Sequence, residues 1–81
     1  MKRVKNVVKY CGRRGAEAVI YFQDDEGRMT TERIRVDYRE PLEKLRSLED
    51  VRRVKEEALN ILNRRLEEYL SRWCEDDAIR G

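Results

Sequence analysis

Residues 48–74, LEDVRRVKEEALNILNRRLEEYLSRWC, decide the fold, because their apolar positions recur at helical spacing without interruption. Val51, Val54, Ala58, Leu62, Leu66, Tyr69 and Trp73 make one stripe that covers 22 residues in six steps, about 3.67 residues per step. That period belongs to a straight helix rather than to the 3.5-residue seam of a coiled coil. Leu59, Ile61 and Leu70 widen the stripe. The opposite side holds pairs such as Glu49–Arg53, Arg53–Glu57 and Glu68–Arg72, each worth only ~0.3 kcal/mol.

Both ends of this helix have sequence signals. Ser47-Leu48-Glu49-Asp50 resembles a capping box, which satisfies the free N–H groups of a first turn. Pro41 fits the start of a shorter helical turn over about residues 41–46. Ser47 alone does not force a break, so the two pieces could run on as one. Asp76 opens an acidic end to the chain, and acids at a helix C-terminus oppose its dipole. Residues 76–81 therefore read as a frayed tail.

Upstream of the helix the period changes from 3.6 to 2. In Arg3 to Cys11 the even positions are Val4, Asn6, Val8 and Tyr10; the odd ones are Arg3, Lys5, Val7, Lys9 and Cys11. Gly12-Arg13-Arg14-Gly15 supplies turn chemistry, since glycine tolerates positive φ. A second strand over residues 16–23 sets Ala18, Ile20 and Phe22 against Val19 and Tyr21. Asp24-Asp25-Glu26-Gly27 makes the next turn. A third strand over residues 28–38 sets Ile34, Val36 and Tyr38 against Met29, Thr31, Arg33 and Arg35. Short connections make antiparallel neighbours. The expected fold is α+β: a three-stranded antiparallel meander, a short helical turn, and one long C-terminal amphipathic helix on one sheet face. All 81 residues form a single domain, with no repeat, linker or low-complexity segment.

A domain of this size buries only about two-thirds of its unfolded surface, so its stability is tight. A helix of 27 residues is about 40 Å long, whereas strands of eight or nine residues reach about 30 Å. The sheet is expected to leave Leu66, Tyr69, Leu70 and Trp73 partly bare. With Leu62, these residues form a candidate interface for a second copy or a partner protein.

Charged residues make up 44% of the chain, well above the roughly 25% of an average domain. Periodic apolar residues and mixed signs still favour a folded chain. Fourteen Arg beside many Glu and a single Pro resemble the surface ion-pair networks of heat-adapted proteins, pointing to a thermophilic, archaeal-like source. Net charge is only +2 but uneven, and the first sixteen residues hold six basic side chains and no acid. That asymmetry suggests a polyanionic or acidic partner for the N-terminal half. The longest apolar run is Ala18 to Phe22, far short of the ~20 residues that cross a bilayer. A signal-peptide core is also missing, so the cytoplasm is the expected compartment.

Histidine is absent, which excludes imidazole-based dyads and triads and histidine-containing zinc sites. Cys11 and Cys74 are too few for a four-thiolate site; each reads as a small buried or half-buried residue, with a Cys11–Cys74 disulfide as the alternative. Asp24-Asp25-Glu26 could attract a cation but lacks the alternating ligands of a calcium loop, and a solvated turn is the better reading. Gly12 and Gly15 lie between strands and do not match a phosphate-binding loop. We therefore expect no catalytic residue, metal, cofactor or small-molecule substrate, and no enzyme.

The feature that points to a function is the odd-numbered sheet face. If the helix covers Val4, Val8, Tyr10, Ala18, Ile20, Phe22, Ile34 and Val36, the other face presents Arg3, Lys5, Lys9, Val19, Tyr21, Arg33 and Arg35, with Arg13 and Arg14 at one end. An aromatic among cations on an open sheet can stack a base while the cations hold phosphates. Glu17 shares the face and interrupts its field. Three readings compete: a nucleic-acid-binding or accessory protein, an ordinary charged outer face, and an apolar patch of Val7, Val19, Tyr21 and Met29 that packs on another protein.

Overall fold

A computed structural model describes residues 2–80 in backbone and 2–72 in side chain. Strands β1 (Arg3–Cys11), β2 (Gly15–Gln23) and β3 (Met29–Asp37) form one antiparallel sheet in the order β1-β2-β3. A 3-10 turn at Leu42–Lys44 follows, and helix α1 (Leu48–Arg80) packs across one sheet face. The α+β meander expected from the sequence is the observed fold. The helix and the 3-10 turn are separate, because Leu45 is extended between them at φ −83° and ψ 136°. Ser47 caps α1, its Oγ accepting the Asp50 N–H at 3.1 Å. At the other end α1 continues to Arg80, past the expected end at Cys74 and through all of the expected tail except Gly81, which lies outside the described residues.

The core lies between β2 and α1. Ala16, Ala18, Ile20 and Phe22 have no exposed surface, and Val54, Ala58, Leu62 and Leu66 of the helix stripe close over them. The Phe22 and Tyr69 rings meet edge to face, with centroids 6.4 Å apart. Leu66 was expected to stay partly bare, but the chain's own sheet covers it along with Leu62. Tyr69 and Leu70 are half-buried, and the side chains of Trp73 and Cys74 lie outside the described residues. Tyr38 ties β3 to the β1–β2 loop, donating its hydroxyl to the Gly12 carbonyl at 2.7 Å. Burial, with a smaller contribution from Cys11, pushes that phenol up to about 12.

One irregularity changes the faces of the sheet. Val4 pairs with Phe22 and Asn6 with Tyr21, leaving Lys5 as the unpaired residue of a β-bulge. Beyond the bulge the alternation of β1 is shifted by one residue. Val7, Lys9 and Cys11 pair with Ile20, Ala18 and Ala16 and share their helix-side face. Val8 and Tyr10, expected beneath the helix, pair with Val19 and Glu17 on the outer face. Lys9, expected on the outer face, reaches the helix instead, and its Nζ donates to Asn63 Oδ1 at 3.0 Å.

The second loop is the expected turn, whereas the first uses glycine differently from expectation, with neither Gly12 nor Gly15 at positive φ. Among the described residues Gly27 is the one glycine at positive φ, +85°, in a turn whose Asp24 Oδ1 accepts the N–H groups of Glu26 and Arg28. Gly15 is required by crowding, since a Cβ there would run into the Val36 carbonyl and lie 2.8 Å from Asp37 Cα. Both obstacles are backbone and cannot rotate away. Gly15→Ala should therefore cost roughly 1–3 kcal/mol in urea unfolding. Gly12→Ala, whose Cβ would meet only the Gly15 carbonyl at 3.7 Å, should be nearly neutral. Equal stability of the two variants would show that the strands part easily at Gly15.

Candidate nucleic-acid interface on the outer sheet face

Register assigns the outer face row by row. Tyr10, Glu17 and Arg35 lie abreast across the three strands, followed by Val8, Val19 and Arg33, then Asn6, Tyr21 and Thr31, then Arg3, Gln23 and Met29. No described element covers these rows, since α1 lies on the other side. Val19 is nevertheless only 7% exposed, flanked in register by Val8 and Arg33. Tyr10 and Val8 are exposed and Tyr21 is half-buried. The face is thus an apolar and aromatic floor edged with guanidinium groups.

Of the basic residues expected on one surface, the structure brings Arg33 and Arg35 together beside Tyr10. Arg3 shares the face but sits six residues along in register, about 20 Å away at ~3.3 Å per residue. Arg13 and Arg14 lie in the β1–β2 loop, at the Arg35 end of the sheet. They line an open depression of about 370 Å³ with Tyr38, Glu40, Pro41 and Glu43. Lys5 is exposed in the bulge, and Lys9 belongs to the helix side. Tyr10 joins the face although the sequence reading placed it in the core. The adjacent pair Val7-Val8, which interrupts the alternation in mid-strand, is the signal that could have shown this.

Two carboxylates sit among the cations. Glu17, at the centre of its row, accepts the Tyr10 hydroxyl at 2.7 Å through Oε2 and the Arg33 guanidinium at 3.3 Å through Oε1. Asp37 accepts Arg35 Nε at 2.9 Å. The Arg33 and Arg35 side chains remain 66% and 52% exposed, so these pairs are weak and leave the cations open to exchange. The Tyr10 hydroxyl is the main cause that holds the Glu17 carboxyl below its usual range; burial, next in size, opposes it, and Arg33 and then Arg35 add to the lowering. The same hydrogen bond raises the Tyr10 phenol.

No group of acidic or cysteine side chains suited to hold a metal ion occurs among the described residues. No helix among them is long and apolar enough to cross a membrane. Comparison of the chain with known protein families, curated proteins and solved structures returns no match.

Because its folded pKa is depressed, Glu17 contributes stability above the unfolded glutamate value near 4.3. That contribution is lost as pH falls through the lower folded value. An NMR titration should find Glu17 ionising below the ordinary glutamate range, and Tyr10→Phe should return it toward that range. No response to Tyr10→Phe would mean that the hydroxyl does not hold the carboxylate.

Proposed function

We propose that this chain is a non-enzymatic nucleic-acid-binding or accessory module that uses the outer face of its sheet. The observation that carries this reading is the exposure of Arg33 and Arg35 beside Tyr10 on a face that no described element covers. Guanidinium groups recognise phosphate through paired N–H donors, and an aromatic ring beside them offers a stacking surface of no particular sequence preference. Arg13 and Arg14 lie in the loop at the Arg35 end of the sheet, in a depression they share with Glu40 and Glu43, and Arg3 marks the far end of the face. Glu17 and Asp37 offset the charge of Arg33 and Arg35 one for one, but such exposed pairs contribute at most about 1 kcal/mol and can exchange a carboxylate for a phosphate.

Binding to labelled single- and double-stranded DNA and RNA, titrated with salt, tests this reading. Each neutralised phosphate releases counterions, so affinity should fall steeply as salt rises. Charge reversal at Arg33 and Arg35 should abolish binding with the circular dichroism unchanged. Neutralising both to Gln should weaken binding and reduce the salt slope by about two phosphate contacts. Normal binding by the folded reversal variant would remove this face from consideration.

A second reading rests on the length of α1. Its 33 residues span about 50 Å, against about 30 Å for nine-residue strands, so part of the helix has no sheet beneath it. In this reading the chain is an interaction subunit, and Tyr69, Leu70 and Trp73 meet a second copy or a partner protein. Light scattering should then give a dimer mass that Leu70→Lys lowers without altering nucleic-acid binding. A monomer at all concentrations would discard the homodimer.

A further inference from the structure

Glu17 is the one acid in the middle of the outer face, and its surroundings are those of an anion site. Tyr10 approaches one carboxylate oxygen and Arg33 the other, from the two strands that flank β2. Arg35, its direct cross-strand partner, faces it in register and is steadied by Asp37. A hydroxyl and a guanidinium group on one carboxylate, with a second guanidinium opposite it in register and held by Asp37, make a donor set that can also bind a phosphate. The Glu17 side chain is only 20% exposed, whereas the two arginines around it are more than half exposed. The resting occupant of the cradle therefore lies low between its donors, and the donors remain reachable from outside.

We propose that Tyr10, Arg33 and Arg35 form a phosphate-binding cradle whose resting occupant is the Glu17 carboxylate, displaced by a backbone phosphate when nucleic acid binds. This assignment rests on the outer face being the nucleic-acid surface, and adds where on it one phosphate is held. Glu17 keeps Arg33 in place before binding and Asp37 keeps Arg35, which lowers the ordering cost of the encounter. It also competes with the incoming phosphate. A polyanion that makes only scattered contacts does not displace it, while one that brings a phosphate to the cradle and a base against the Tyr10 ring does.

Glu17→Gln tests the cradle directly. Glutamine keeps the shape and can still accept from Tyr10, but it removes the competing charge. The variant should remain folded by circular dichroism and bind single-stranded DNA about three- to fivefold tighter at about 0.1 M salt, the return expected when an exposed pair no longer competes. Its salt slope should steepen by about one phosphate. Glu67→Gln on the exposed side of α1 makes the same change in net charge away from the face and is the control. Equal tightening in the two variants would reduce the effect to net charge and overturn the cradle, as would unchanged or weaker binding by Glu17→Gln. The two failures are separable. Loss of the cradle leaves wild-type binding that still requires Arg33 and Arg35, whereas wild-type protein that binds no nucleic acid removes the larger reading as well. Should Glu17→Gln prove unfolded, the wild-type protein decides: the Arg33 Nε resonance should shift on saturation with the DNA, and an unmoved resonance overturns the cradle.

Discussion

The contact between the central strand and the helix is the constraint on which the rest of the molecule depends. Every inward residue of β2 from Ala16 to Phe22 is fully buried, and the four helix residues set over them repeat every four positions. Two of the strand residues and one of the helix residues are alanine, which lets the backbones approach closely before Ile20, Phe22 and Leu62 fill the remaining space. In so small a domain there is no second core to compensate for an error here. Of the inward residues of β1, Val4, Val7 and Cys11 are half-buried and Lys9 is exposed, whereas Val36 on the other edge strand is buried.

Sealing one face of a three-stranded sheet with a single helix leaves the other face open. What that open face presents is set by the bulge at Lys5. Without it, Val8 and Tyr10 would turn toward the helix and Lys9 outward. With it, Lys9 spans to Asn63 at the helix flank, and the outer face gains a tyrosine that engages Glu17. One inserted residue thus exchanges a cation for an aromatic ring. The outer face becomes less basic than a strict alternation implies, but better ordered, since its polar side chains hold one another.

Legibility in the sequence followed the strength of the local pattern. The helix stripe was unambiguous over 22 residues, and the three strands were legible from alternation and turn chemistry. Inward and outward residues of β2 and β3 also read correctly, because neither strand has an irregularity in register. The first strand misled because a bulge has no strong composition of its own. Val4-Lys5-Asn6-Val7-Val8 supports two apolar sets, and only pairing with β2 selects between them. Glycine misled for a related reason. Gly15 is demanded by the backbone of a strand 21 residues later, a tertiary constraint invisible to local turn rules. Strand length alone understates how far the sheet covers the helix, because it carries no information on where the helix lies, and Leu66 is buried beyond what that length implies. Of the candidate site, Arg33, Arg35 and Tyr21 were placed on their face by parity alone, while the engagement of Tyr10 with Glu17 needed the shifted register.

The count of cations on the face limits how strongly it could act alone. Arg33, Arg35, Arg13, Arg14 and Arg3 are the guanidinium groups within its reach, and two of them are already paired with carboxylates. Charge contacts of that number belong to the non-specific regime, with dissociation constants on the order of 10⁻⁴–10⁻⁶ M at physiological salt. A module with this surface would therefore depend on multiplicity for tight binding. Placing two such faces on one polymer raises the effective concentration of the second contact without any new chemistry. The long helix is the element that could join them, because it is the part of the chain that extends beyond its own sheet. The two proposed readings would then be complementary, with the sheet supplying a weak, salt-sensitive contact and the helix the means of using it more than once.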